Sequence, residues 1–355
     1  MNVSRAILAI LLCFALFAQE ELPERTFTAT VNVVVVPVTI TDKQGNYVGG
    51  LKPEDFRLYD NNKLQDIRVE EAVQPISLVV AVQANPDMAG ILPMVKQIGP
   101  VISQLIIGQN GEAAILAYDG KIRTMQDFTA DSDQISSALQ KINPGSSMNR
   151  VKDAAREAVR MLRDRPPGNR RVLLIIGETR DKSSEGNLRE IMAEVQLHNV
   201  SVYTANVNRL VSTLTGRPET PRPSPFPATA YKIPGGGPQT PGTVASLGHG
   251  GTLGNWVPVF VEIFRDVKSI FVSNPAEVFT KYSGGKEFSF MKQQDLERAL
   301  SEIGSELHSQ YMISYMPDNK SEGGFHELRV NVSRPQAADW DIRYRPGYWM
   351  AAVPQ

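Results

Sequence analysis

Four nearly continuous apolar runs constrain the fold of this 355-residue chain more than any other feature. They cover residues 76–82, 113–118, 172–176 and 200–207. Strands that are buried on both faces of a parallel sheet have this composition, whereas strands with one solvated face alternate apolar and polar residues. Segments with helical spacing of apolar residues lie between the runs. Strand–helix alternation with short links predicts an open, mostly parallel α/β sheet with helices on both faces.

Local signals position the helices. Asp131 or Ser132 can cap a helix that reaches Ile142. One helical stripe consists of Val151, Ala155, Ala158 and Leu162. Further helices are predicted at 187–199, 275–282 and 293–309, with a short edge strand at 287–290 between the last two.

Both ends of the chain have β signals. Residues 27–75 contain a β-branched run and short strands separated by turns, and residues 311–349 contain three more strand-like segments. Isolated hairpins are marginally stable, so neither group alone is expected to bury a face. We therefore predict one small β unit formed from N- and C-terminal strands, with an α/β domain at 76–310 inserted between them.

Residues 212–254 interrupt the α/β pattern with many prolines and glycines. A segment of this composition has little apolar surface to bury. It is predicted to be a surface insertion of the α/β domain.

The first 18 residues read as a signal peptide. Arg5 precedes an apolar run from Ala6 to Phe17, which is too short for a membrane span, and cleavage after Ala18 fits the pattern. The mature chain is then expected to be secreted, periplasmic or attached to the cell envelope, with no stable membrane span. An uncleaved anchor is the alternative. The sole cysteine, Cys13, lies in this segment, so the mature chain would have no disulfide.

Composition argues against a nucleic-acid partner. The formal net charge is -1 and aromatic residues make up 7% of the chain. The local basic cluster consists of Arg163, Arg165, Arg170 and Arg171. A nucleic-acid patch is one interpretation of it, and a solvated helix end with cations near its C-terminal dipole is the preferred one. The four histidines form no paired ligand motif and are expected to be solvated or hydrogen-bonded at the surface.

Three segments together resemble a known family. Residues 78–88 look like the first strand and loop of a von Willebrand factor A-type domain. Segments on both sides of the α/β domain resemble the flanks of bacterial "VWFA-related" exported proteins. They are Thr41-Asp42-x-x-Gly45 with Leu51-x-x-Glu54-Asp55-Phe56 on the N-terminal side, and Arg345-Pro346-Gly347-Tyr348 on the C-terminal side. The resemblance implies the von Willebrand factor A-type fold for the α/β domain.

The resemblance also implies a site at the carboxyl edge of the sheet. That family holds a divalent cation there with an Asp-x-Ser-x-Ser loop, a hydroxyl from a second loop and a carboxylate from a third. This sequence has Gln83 at the first Asp position, and Asn85 and Asp87 at the two Ser positions. The second loop offers Ser146, Ser147 and Asn149, and the third offers Glu178.

An amide binds Mg²⁺ less well than a carboxylate, and that ion tolerates little error in geometry. We therefore expect a degenerate metal site with no assigned metal ligand and no cofactor. Weak binding of a divalent cation such as Mg²⁺ is left open.

The functional expectation is a non-enzymatic protein-binding, adhesion-type module. Its unidentified protein partner would contact the loops at 83–88, 146–149 and 178–181. One alternative is a structural subunit of a cell-envelope assembly. Another is a hydrolase that uses Asp87 and Glu178 as paired carboxylates, which can divide acid and base roles when their environments differ.

Overall fold

The computed structural model describes residues 33–71, 74–178, 181, 183–207, 275–318 and 324–350. The predicted signal segment 1–18 and the Pro/Gly-rich insertion 212–254 lie outside these residues. Within the described ranges, no helix is long and apolar enough to span a membrane.

Strands occur in three groups along the chain. The first group is Val34–Thr41 (β1), Phe56–Asp60 (β2), Lys63–Leu64 (β3) and Ile67–Glu71 (β4). The second is Ile76–Gln83 (β5), Glu112–Tyr118 (β6), Ile122–Thr129 (β7), Arg170–Gly177 (β8), Val200–Val207 (β9) and Glu287–Phe290 (β10). The third is Tyr311–Tyr315 (β11), Gly324–Val332 (β12), Asp341–Arg343 (β13) and Gly347–Met350 (β14).

The α-helical segments of the described residues lie between β5 and β11. They are Leu92–Val95 (α1), Gly99–Val101 (α2), Ser132–Gln140 (α3), Val151–Arg163 (α4), Leu188–Leu197 (α5), Pro275–Ser283 (α6) and Gln293–Ser309 (α7). A π-helical turn at Ile102–Ile107 extends α2. Asp131 and Asn187 cap α3 and α5 by accepting backbone hydrogen bonds, as short polar side chains do at helix N-termini.

The central sheet has the strand order β10-β9-β8-β5-β6-β7. All neighbours are parallel except β7, which is antiparallel to β6 at the edge. One face packs on α1, α3, α7 and the π-helical turn, and the other on α4, α5 and α6. Every residue of β5 is buried because the strand has neighbours on both sides and helices on both faces. The predicted open, mostly parallel sheet with helices on both faces is confirmed.

Besides the two-residue β3, two of the described strands escaped prediction. Strand β7 mixes polar and apolar residues without alternation, and its side chains are half-buried or exposed along its whole length. Strand β14 follows Arg345-Pro346 and is too short to show a strand pattern of its own. Both strands form through pairing with a neighbour rather than through a pattern of their own.

The N- and C-terminal strands pair directly with one another. Strand β1 is antiparallel to β11 and β13, and β2 is antiparallel to β12. The resulting two four-stranded sheets, β13-β1-β11-β4 and β14-β12-β2-β3, enclose a core that both share. The predicted β unit therefore exists, and the α/β segment leaves it after β4 and returns to it at β11.

A buried polar network joins the β unit to the α/β domain. Glu306 of α7 is 2% exposed and forms an ion pair with Arg343 of β13. Its carboxylate also accepts hydrogen bonds from Tyr203 Oη (2.6 Å) and Gln310 Nε2 (3.0 Å). Arg343 donates to the backbone oxygens of Gly284 and Gly285 at 3.0 and 2.7 Å. Although burial opposes its charge, the Glu306 carboxylate holds the pKa of Arg343 above its usual value.

The four-arginine cluster is engaged in internal contacts. Arg170 is buried and donates to the Leu307 carbonyl and to Gln310. Arg171 donates to the backbone oxygen of Leu162 at the end of α4, so a cation does lie at that helix end. Arg165 forms a bidentate pair with Glu112, with both distances at 2.7 Å, and Arg163 pairs with Asp164.

The expectation of surface histidines is wrong for His326. This residue is 0% exposed and its Nδ1 lies 2.7 Å from Asp60 Oδ1, inside the β unit. The same carboxylate accepts hydrogen bonds from Tyr315 and Tyr348. The sequence pattern predicts that β12 starts at Leu328, but the strand begins four residues earlier, at Gly324. His326 therefore belongs to the buried face of a strand.

We expect Arg343→Met to lower the free energy of unfolding by about 3 kcal/mol, because it leaves the buried Glu306 carboxylate without its cation. The control is Lys43→Met, which removes an ion pair with Asp339 in which both side chains are about two-thirds exposed. Such exposed pairs contribute about 0–1 kcal/mol. Urea unfolding of both variants measures the difference, and equal losses would contradict the role given to the Glu306–Arg343 pair.

Candidate functional site

The ends of three adjacent central strands place Gln83, Tyr118 and Gly177 in one row. Gln83 ends β5 and is directly opposite Tyr118 of β6. Val82 pairs with Ile176, so Gly177 of β8 lies on the other side of Gln83. Alternation along each strand puts all three on the face that carries α4 and α5. Parallel strands bring their carboxyl ends to one edge, where ligands of open α/β sheets bind.

The Gln83 side chain is buried and connects two loops. Its Oε1 accepts a hydrogen bond from the backbone N–H of Glu178 at 2.6 Å. Because a backbone N–H can only donate, this contact fixes the orientation of the amide. Nε2 then donates to Asn85 Oδ1 at 2.9 Å and to Glu178 Oε2 at 3.4 Å. An N–H donor therefore faces the oxygens of both loops.

The first loop continues this chain of hydrogen bonds. Asn85 is buried, and its Nδ2 donates to Asp87 Oδ2 at 3.0 Å. Pro86 begins a 3₁₀ turn that ends at Met88, with the backbone N–H of Met88 donating to Asn85 O at 3.0 Å. Proline fits the first position of such a turn because its φ is already near the required value. Asp87 thus lies half-buried at the outer end of this row of hydrogen-bonded side chains.

The second loop is attached to the first through the backbone. Gly145 N donates to Ala84 O at 2.7 Å, and Ser146 Oγ accepts from Gly120 N at 2.8 Å. Ser146 and Ser147 are exposed, and Met148 beside them is an exposed apolar side chain at 50%. Asn149 is buried, and its backbone oxygen accepts from Ser183 N at 3.2 Å, which ties this loop to the third.

The third loop is held against the N-terminal turn of α4. Asp181 forms an ion pair with Lys152 at 2.9 Å. Asp153 accepts from the backbone N–H groups of Glu185 and Gly186 at 3.0 and 2.8 Å. Burial favours the protonated form of Asp153, but these hydrogen bonds and one from Arg150 hold its pKa below the usual value. The carboxylate therefore stays ionised and keeps the loop in place.

Tyr118 is a site residue that the sequence analysis missed. Its ring is fully buried, and within the described part of the chain its hydroxyl has no hydrogen-bond partner. Burial, with the negative charges of Glu178 and Asp181, raises the pKa of Tyr118 well above its usual value. A signal was present, since a tyrosine that ends a buried apolar strand carries its hydroxyl to the carboxyl edge of the sheet.

Gly177 is the second missed residue, and it makes the Gln83 contacts sterically possible. A Cβ at this position would lie 2.5 Å from Gln83 Oε1, 2.7 Å from Gln83 Cβ and 2.9 Å from the Tyr118 hydroxyl. Only glycine leaves the Gln83 side chain enough room to reach Glu178.

The predicted site residues thus divide into three groups. Gln83, Asn85, Asp87 and Glu178 form one hydrogen-bonded chain. Ser146 and Asn149 hold the second loop to its neighbours. Ser147 is exposed next to them.

Comparison with known proteins gives no sequence match and a group of structural matches. No protein-family model and no curated protein matches the sequence. The mostly parallel central sheet with helices on both faces agrees with the von Willebrand factor A-type fold that the sequence resemblance implies.

Solved structures that resemble the chain do so at low overall similarity. The von Willebrand A domain of SpRpn10 is 12% identical, with 40% of this chain and 79% of that chain covered and a TM-score of 0.33. An aerotolerance-related membrane protein from Bacteroides fragilis is 13% identical, with 64% and 98% covered and a TM-score of 0.38. A von Willebrand factor type A protein from Catenulispora acidiphila is 8% identical, with 79% and 52% covered and a TM-score of 0.44.

We expect Gly177→Ala to lower the free energy of unfolding by about 2 kcal/mol, because the added methyl group overpacks the Gln83–Tyr118 contact. Gly168→Ala is the matched control, since a Cβ there would meet no atom within 4 Å. Its effect should stay within about 0.5 kcal/mol. Chemical denaturation of both variants is the measurement. An unchanged free energy of unfolding in Gly177→Ala would show that the Gln83 side chain is not confined as described.

Proposed function

We propose that this protein is an exported, non-enzymatic protein-binding module that engages its partner through the three loops at the carboxyl edge of the central sheet, without a bound divalent cation. The observation that carries the proposal is the Gln83 amide, which joins the first and third loops by hydrogen bonds. The export step is inferred from Arg5 and the apolar run 6–17, which lie outside the described residues.

The orientation of the Gln83 amide disfavours a cation. Mg²⁺ needs about six oxygen ligands in near-octahedral geometry. Here the oxygens of Asn85 and Glu178 face the N–H groups of Nε2, and rotating the amide would forfeit the 2.6 Å hydrogen bond from Glu178 N. Across the described ranges, no group of three or more His, Cys, Asp or Glu side chains is placed to hold a metal ion. The amide nitrogen thus performs the loop-joining role that a cation has in the resembled family.

The outer surface of the loops has the composition of a protein contact. Met148 is 50% exposed, and the polar side chains of Ser146, Ser147 and Asp87 belong to the same or the adjoining loop. Interfaces commonly combine an apolar centre, in which methionine is enriched, with a polar rim. Because the three loops are tied together by hydrogen bonds, they present this surface with little ordering cost on binding.

We expect a photo-crosslinking amino acid at position 148 to capture one protein from the native exported fraction, with the same yield in EDTA and in Mg²⁺. The matched control is position 197, where Leu197 is 59% exposed but ends α5 at the opposite edge of the sheet. Combining the crosslinker with Asp87→Ala should reduce capture severalfold.

Three results would contradict the proposal. Equal capture from position 197 would show that the partner does not bind specifically at the three loops. Capture that requires Mg²⁺ would restore a cation-dependent mechanism. Turnover of a substrate by the purified mature chain, lost in Asp87→Ala or Glu178→Ala, would favour the hydrolase alternative.

A further inference from the structure

A polar groove lies along the seam between the β unit and the α/β domain. It consists of two adjoining cavities of about 670 and 210 Å³ that share Tyr47 as a lining residue. Helix α7 lines one side of the groove, and β1, β13 and the turn after β1 line the other. Its volume is in the range of small-molecule sites. Its walls belong to α7, β1 and β13, and these elements also contribute residues to the cores of the two parts of the protein.

Hydroxyl groups are the first feature of the groove. Thr41, Ser301 and Ser305 line the larger cavity. Within the described part of the chain, the structure records no side-chain hydrogen bond for any of these three hydroxyls. Each can therefore both donate to and accept from a ligand, which makes the wall suited to a hydroxyl-rich molecule.

The charges of the groove balance. Lys286, Arg298 and Arg343 line the larger cavity together with Glu302, Glu306 and Asp341. The deepest pair, Glu306 and Arg343, is already joined, and Lys286 lies 3.5 Å from Glu302. A strongly anionic or cationic ligand would meet as many repulsive as attractive charges, and an apolar ligand would leave these groups desolvated without partners. The wall therefore favours a neutral, polar ligand.

Tyr47 lines both cavities and is half-buried. Its hydroxyl donates to the backbone oxygen of Glu302 at 3.4 Å. Burial and the negative charges of Glu306 and Glu302 raise the pKa of Tyr47 to about 12, so the phenol stays neutral at physiological pH. A neutral aromatic side chain between two polar cavities can pack against the apolar face of a sugar ring while polar groups on both sides bind its hydroxyls.

We propose that this groove binds a short, linear, neutral oligosaccharide laid across Tyr47. The groove fits a chain rather than a single sugar, because a second cavity meets the larger one at the same residue. The inference is independent of the proposed partner site, which lies at the carboxyl edge of the central sheet.

The test is isothermal titration calorimetry of the mature chain with cellotetraose, maltotetraose and chitotetraose at up to about 10 mM. We expect saturable binding of at least one of them. Tyr47→Ala should weaken that affinity at least about tenfold, which corresponds to about 1.4 kcal/mol. Tyr47→Phe retains the ring and should lose less.

Two controls separate the groove from folding and from the loop face. Tyr59→Ala removes a comparable half-buried tyrosine from β2, outside the groove, and should leave sugar affinity unchanged. Asp87→Ala, which weakens the proposed protein partner site, should also leave it unchanged. Equal melting curves for Tyr47→Ala and Tyr59→Ala exclude unfolding as the cause of lost binding.

Three outcomes would overturn the inference. No saturable heat with any of the three sugars would do so, as would sugar binding that Tyr47→Ala leaves intact. Binding of the neutral tetrapeptide Ser-Gly-Ser-Gly, lost in Tyr47→Ala, with no sugar binding would identify the groove as a peptide site instead.

Discussion

The burial of β5 on both faces is the constraint on which the rest of the structure depends. All eight of its residues are buried, from Ile76 to Gln83, so the strand delivers an amide side chain into a site without solvent. A buried amide that lacks partners costs about 1–3 kcal/mol. The loops after β5 and β8 supply those partners through Asn85 and Glu178. Satisfying one buried side chain thus determines how two loops meet at the carboxyl edge.

A second buried polar group organises the seam between the two parts of the protein. The Glu306 carboxylate, at 2% exposure, joins α7 to β13 through Arg343 and to β9 through Tyr203. Removing one partner of such a pair is far more costly than the pair itself is stabilising. The Glu306–Arg343 pair therefore fixes the position of α7 relative to β13. The same two residues line the polar groove beside the seam.

Sequence pattern predicted the central sheet because each of its buried strands contains a nearly continuous apolar run. The helix at 293–309 and the edge strand at 287–290 were also predictable, since apolar periodicity and glycine breaks are local signals. Strand β7 was not, because its residues show no alternation and it is defined by pairing with β6.

The sequence predicted which residues form the site but not how their side chains are oriented. A resemblance identified Gln83, Asn85, Asp87 and Glu178, but the direction of the Gln83 amide depends on residues from other segments. Gly177 provides the space and Glu178 N the donor, and neither dependence is visible in the spacing of the first loop. His326 shows the same limit, since its burial depends on where β12 begins.

Thermal unfolding in EDTA and in excess Mg²⁺ or Mn²⁺ tests the central claim, that the Gln83 amide holds the loops in place of a cation. A ligand that binds only the folded state must raise stability by RT ln(1 + [L]/Kd). The account predicts equal melting temperatures for the native chain in all three solutions. It also predicts that Gln83→Asp, which replaces the N–H donor with a carboxylate, gains a metal-dependent rise of several degrees. A metal-dependent rise in the native chain that Asp87→Ala abolishes would contradict it.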